Sequence, residues 1–174
     1  LTDPIDDVEG LERRQLFQEP YILLVPRNLT SVARERGLGG LAQVAPLVRY
    51  STRSLIGKHI EQHLGRLRLD IPNRMEFDAT ETVFSMVDAG IGWAITTPLC
   101  LAQGRADTLN VAALPIPEPG FQRTVNSIFR KGELGDIPNR IAELTSNYVT
   151  RVLNSILKNL SPDGDGRIIL PKNT

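Results

Sequence analysis

The chain has 174 residues, 41% of them hydrophobic, with 20 Lys plus Arg balanced by 20 Asp plus Glu. That length suits one domain or two small lobes with a real core, and zero net charge argues against a segment that grips a polyanion by neutralising phosphates. A single cysteine, Cys100, excludes an internal disulfide framework and fits a reducing cytoplasm, and no apolar run approaches a membrane span or a secretion signal.

Leu1-Thr2-Asp3-Pro4 reads as the end of a strand already inside a fold, so the natural protein is expected to begin earlier. Leu16-Phe17 and Tyr21 to Val25 read as a strand pair or one bent strand, kinked at Pro20 and stopped at Pro26. Residues 27–40, rich in Gly and Arg, read as a surface connection, with a short helix over 38–45 and a short strand at Leu47-Val48-Arg49-Tyr50. Ser51, Thr52 and Ser54 are candidate N-caps of a helix whose Ile56, Ile60, Leu64 and Leu67 share one face. Met75-Glu76-Phe77 is a short strand.

Residues 78–98, DATETVFSMVDAGIGWAITTP, carry the most information. Asp78 and Glu81 fit a capping box; Val83, Met86 and Val87 share a helical face. Ala89-Gly90 is a small residue followed by a left-handed stop. Ile91 to Ile95 is apolar throughout, as a strand covered on both faces should be. Thr96-Thr97-Pro98 then leaves the strand's carboxyl end, where open α/β sheets bind ligands. A short helix over 99–106 follows, then an extended, proline-rich connection over 107–120 and a strand from Thr124 to Phe129. The last helix starts near Asp136 and carries an apolar stripe at Ile141, Leu144, Tyr148, Val152 and Ile156. This alternation argues an α/β fold with parallel strands.

The segment Val87 to Pro98 resembles the helix–glycine–strand segment of the effector-binding domain of LysR-type transcriptional regulators. The resemblance continues in order over residues 11–26, 41–50, 121–130 and 136–160, and covers roughly residues 1–160. It implies a two-lobed periplasmic-binding-protein-like (type 2) effector domain with its outer lobe incomplete. The expected division is 1–26 partial outer lobe and first hinge, 27–118 middle lobe, 119–160 return strand and last helix of the outer lobe, and 161–174 tail. The DNA-reading winged helix-turn-helix of the family is missing, so DNA is expected as a partner only through a domain absent from this chain. The resemblance also implies a cytoplasmic homodimer or higher oligomer, with the helix from Arg53 to Leu67 as candidate contact surface.

Three junctions are candidate effector contacts. Ser51, Thr52, Arg53 and Ser54 combine three hydroxyls and a guanidinium at a helix N-terminus, which favours a carboxylate or phosphate; the same residues also serve as plain helix caps. Thr80 is the better candidate at the second junction, because the Asp78 carboxylate repels an anion. Thr96 and Thr97, with Pro98, form the third edge, and local backbone hydrogen bonding is their alternative role. Valine at Thr96 and Thr97 is expected to weaken effector binding and leave folding intact. The three sites converge only if the strands are parallel neighbours.

No metal or cofactor is expected. His59 and His63 have a ligand-compatible spacing but lack a third ligand, and read as a solvated helix face; Asp163-Gly-Asp165 lacks the rest of a calcium loop. Cys100 lacks a paired histidine, and no phosphate loop or nucleophile elbow appears. The scattered Arg13, Arg14, Arg34, Arg36, Arg66 and Arg68 read as solvated surface. The leading expectation is therefore a ligand-sensing domain that is not an enzyme and binds a small organic effector, such as a carboxylate, between two lobes. A solute-binding protein of the same fold is the alternative.

Overall fold

The computed structural model describes residues 10–72 and 75–160. The amino-terminal strand end and the Asp163-Gly-Asp165 tail lie outside the described residues. Strand β1 (Leu11–Pro20) pairs antiparallel with β7 (Gln122–Arg130) as a long ribbon. At Tyr21 the chain crosses into β2 (Ile22–Pro26), which is buried throughout. The proline kink expected at Pro20 is this crossing.

β2 runs antiparallel to both its neighbours, β5 (Ala94–Thr96) and β6 (Val111–Pro115). The expectation of parallel strands is thus corrected for the sheet's centre. It holds at the other side, where β3 (Arg49–Tyr50) pairs parallel with β4 (Glu76–Phe77) and Leu47 makes a parallel bridge to Trp93. The bridge brings the strands into the spatial order β4-β3-β5-β2-β6. β2 is reversed because it enters this sheet from the ribbon, whereas its neighbours are joined by helical crossovers.

Helix α1 (Thr30–Val44) starts directly after a 3₁₀ turn at Arg27–Leu29 and breaks at Gly37. Residues 27–40 are therefore not a surface connection. Their Gly content disfavours helix, but Ala33, Leu38 and Leu41 bury against the sheet and override it. Helix α2 (Leu55–Arg66) buries Ile56, Ile60 and Leu64 as their spacing predicts, and α3 (Thr80–Asp88) buries Val83, Phe84 and Val87. Gly90 ends the α3 turn at φ 73°, and a Cβ on Gly92 would sit 2.3 Å from the Pro46 carbonyl oxygen. The strand after them is shorter than its apolar run: Ile91 is exposed and only Ala94–Thr96 is regular. Helix α4 is Pro98–Gln103, followed by a separate 3₁₀ turn at Ala106–Thr108. The connection expected over 107–120 contains β6, whose Val111, Ala112, Ala113 and Leu114 are core residues.

Two cores result. The large one fills the five-strand lobe around Leu23, Leu24, Trp93 and Phe84. The small one joins Phe17 of the ribbon to Val149 and Leu153. Helix α5 (Ile137–Tyr148) passes into a π-helical turn, Val149–Leu153, and then α6 (Asn154–Leu160). The wider turn rotates the buried face, so the predicted stripe is not the buried one: its Val152 and Ile156 are only half-buried. Val149 and Leu153 are buried, while Ile141, Leu144 and Tyr148 are exposed together with Ile137.

Candidate functional site

The parallel pair β3–β4 sets two helix N-termini side by side. The backbone N–H of Ser51 donates to Phe77 O at 2.9 Å, so the two strands end level. The chain leaving β3 turns sharply: Ser54 N and its hydroxyl both donate to Ser51 O, and the Ser54 hydroxyl accepts from Gly57 N, capping α2. A Cβ at Gly57 would lie 2.2 Å from Ser51 O, so glycine is what lets the helix start this close to the strand. Ser51 is buried, with its hydroxyl accepting from Arg53 N and Nε; Ser54 is half-buried; Thr52 and Arg53 are exposed.

At the second junction the expected capping box is absent. The N-cap of α3 is Ala79, with no side chain capping it. Asp78 instead accepts from Arg53 Nη2 at 2.6 Å, across the two junctions. A guanidinium brought beside the carboxylate by strand pairing offers it a charge partner that a backbone N–H does not. The ion pair also offsets the anion repulsion expected of Asp78.

Thr80, Tyr50 and Thr96 meet next to these two junctions. The Tyr50 hydroxyl lies 3.0 Å from Thr96 Oγ1 and also engages the Thr80 side chain. Burial, followed by nearby Cys100, pushes the Tyr50 phenol well above its ordinary range, so it stays protonated.

The third junction is closed. Thr96 and Thr97 are completely buried and Pro98 is buried. Thr97 caps α4 by accepting from Cys100 N at 3.4 Å and also accepts from Arg123 Nη2 at 3.1 Å. Valine at either position therefore removes buried hydrogen bonds, and the expectation that folding stays intact is corrected.

Beneath this junction lies a group that no sequence motif marks. Glu19 is completely buried and accepts from Leu99 N at 2.8 Å and Arg123 Nε at 2.7 Å. Burial alone would lower the Arg123 pKa, but the Glu19 carboxylate outweighs it and leaves the guanidinium more firmly protonated than usual. A signal was present in the sequence. Phe17, Glu19 and Tyr21 alternate on one face of a strand, which places a carboxylate at an inward position that needs a partner.

The helix-face reading of the histidines is also corrected. His63 is buried and stacks on Phe121 at 4.0 Å between centroids, and Phe121 stacks on Tyr21 at the same distance. His59 Nδ1 lies 3.0 Å from the Tyr21 hydroxyl. Aromatic pairing at the strand crossing, together with the apolar face of α2, draws both rings inward. Burial, with Arg66 nearby, lowers the His63 pKa. Among the described residues no cluster of three or more His, Cys, Asp or Glu is placed to hold a metal.

A family model described as "LysR substrate binding domain" matches residues 1–138. Solved structures similar to the chain include a variant OxyR2 regulatory domain from Vibrio vulnificus, 16% identical with a TM-score of 0.65 over 81% of this chain and 66% of that one. The CcmR regulatory domain from Synechocystis in complex with 2-PG is 16% identical, with a TM-score of 0.62 over 92% of this chain and 73% of that one. The effector binding domain of QuiR in complex with shikimate is 14% identical, with a TM-score of 0.61 over 85% and 69%. The chain thus spans about two thirds of the length of the solved domains it matches. No curated protein matches it. The fold is the mixed α/β, periplasmic-binding-protein-like type 2 architecture of these domains.

Proposed function

Because the chain belongs to the LysR substrate binding domain family, we propose that it senses a small organic effector carrying a carboxylate, held at the paired N-termini of α2 and α3. The carrying observation is the side-by-side placement of those two N-termini, with Arg53 and the hydroxyls of Thr52, Ser54 and Thr80 not fully buried around them. Free N–H groups and helix dipoles favour an anion there, and Arg53, held between Ser51 and Asp78, places a cationic group beside it. Ser51 shapes the turn. Thr96, Thr97 and Pro98 lie buried behind these N-termini and act through Tyr50 and α4. Shikimate, the ligand of one fold neighbour, is itself a small carboxylate. The family favours this sensor over a solute-binding role or catalysis.

In this reading the effector shifts the relative placement of the two lobes, and so the arrangement of subunits bound to DNA through a domain outside this chain. It must prefer one arrangement in order to shift the balance. Assembly uses α2, whose Leu55 is 54% exposed; light scattering that shows a strict monomer at high concentration would remove that surface. No described helix is long and apolar enough to cross a membrane.

The test is thermal shift against small carboxylates, aromatic acids, amino acids and phosphorylated metabolites, since a native-state ligand raises the melting temperature by mass action. A carboxylate hit that disappears in Arg53→Gln supports the site. A hit unaffected by Arg53→Gln and Thr80→Val places binding elsewhere.

A further inference from the structure

We propose that Glu19 and Arg123 are a positioning pair that couples the floor of the effector site to the strand crossing between the lobes. The proposal rests on the sensor reading above for its use in the cell, but its geometry does not depend on any ligand.

Three elements meet at this pair. Glu19 is the penultimate residue of β1, one step before the chain leaves the ribbon, and Arg123 is the second residue of β7, just after it returns. Between them the two crossing segments exchange the Tyr21 N to Phe121 O bond at 2.9 Å, and Pro20 faces Gln122. The lobes' relative angle is therefore set by backbone torsions within two residues of each partner. The other two contacts belong to α4. Leu99 N donates to one Glu19 oxygen, while Arg123 donates to the other oxygen and to the Thr97 hydroxyl.

Thr97 follows Thr96, which is tied to Tyr50 and through it to Thr80 at the open junction. A ligand that moves Thr80 or Tyr50 moves the start of α4 with it. The start of α4 cannot move without pulling on Glu19 and Arg123. Glu19 has no exposure to bulk solvent, so its protein partners carry its hydrogen bonding. A buried ion pair of this kind costs desolvation, and its best-attested use is to hold one register.

The test is the distribution of distances between nitroxide labels at Gln62→Cys on α2 and Lys131→Cys on the turn after β7, both exposed positions. The unaltered pair should give one narrow distance. Glu19→Gln and Arg123→Lys, which keep size and polarity but lose the forked ion pair, should at least double the width. Thr97→Val, which removes the Arg123–Thr97 bond together with the Thr97 cap of α4 but leaves Leu99 N on Glu19, should broaden it less. Phe17→Ala, in the small ribbon core, supplies the structural control: it should lower the melting temperature and leave the width alone. Wild-type width in folded Glu19→Gln or Arg123→Lys overturns the proposal. If neither variant folds, unchanged width in Thr97→Val overturns it instead. Broadening in Phe17→Ala equal to that in Glu19→Gln also overturns it, because any loss of stability would then suffice. Silence of the carboxylate panel with the widths as expected would remove the sensor reading and leave the coupling standing.

Discussion

The junctions after β3 and after β5 carry nearly the same local chemistry and end in opposite environments. Ser51-Thr52-Arg53-Ser54 and Thr96-Thr97-Pro98 both place hydroxyls where a strand gives way to a helix. After β3, Thr52 and Arg53 stay in solvent and only Ser51 is buried. After β5, all three residues are buried, because Tyr50 lies across Thr96 and the ribbon's Arg123, held by Glu19, bonds Thr97. A hydroxyl at a helix start is a ligand donor or a structural strut according to what packs over it. That is a long-range property.

Substitutions can break this contrast, beginning with the most costly. Gly57→Ala forces a methyl to within 2.2 Å of Ser51 O and 2.7 Å of Tyr50 O, so α2 must back away from β3. A loss of about 3 kcal/mol is expected in urea unfolding, at the upper end of typical overpacking. Gly65→Ala on the same helix meets nothing within 4 Å and should be neutral or stabilise by up to about 1 kcal/mol. Equal effects would mean that the β3 junction is not tightly drawn.

Thr96→Val deprives the buried Tyr50 hydroxyl of a partner and should cost about 1–2 kcal/mol. Thr52→Val, in solvent, should stay within about 0.5 kcal/mol. Similar losses at both positions would erase the distinction drawn between the junctions.

A smaller effect is expected at the crossing, where α2 reaches the ribbon's exit through His63. Its folded pKa lies below the ordinary 6.5 because burial, then Arg66, disfavours the imidazolium. The unfolded chain therefore binds the proton more readily, and the His63 contribution is lost as pH falls below about 6.5 toward the folded value. Melting temperature measured from pH 7.5 downward should drop through this window, and His63→Gln should flatten that part of the curve. An unchanged slope would show that the ring titrates as it does in the unfolded chain.

The smallest change in stability belongs to the exposed Arg53–Asp78 pair. Asp78→Asn should alter unfolding free energy by less than about 0.5 kcal/mol. Arg53→Gln should be equally mild in stability yet weaken carboxylate binding about tenfold, and that separation of effects is what marks a ligand donor.

Much of this was legible from periodicity and punctuation. The α2 face, the glycine stop at Gly90 and the hydroxyls at three strand ends follow from local pattern, because helical spacing and left-handed torsions act over a few residues. The failures share a cause. The capping box at Asp78 lost to a guanidinium 25 positions away. Residues 27–40 became helical because the sheet needed their apolar side chains. Nothing near His63 in sequence announces the Phe121 ring that stacks on it.

The sequence alone determined the alternation of strands and helices, the family likeness and the chemistry available at each strand end, since these rest on short-range propensity and order along the chain. Only the tertiary structure decided the reversed direction of β2, the closing of Thr96 and Thr97 beneath the site, and the meeting of Glu19 with Arg123. Each of these depends on two segments far apart in sequence being forced into one water-free place. There, direction, partner and charge are settled by burial, which no local pattern encodes.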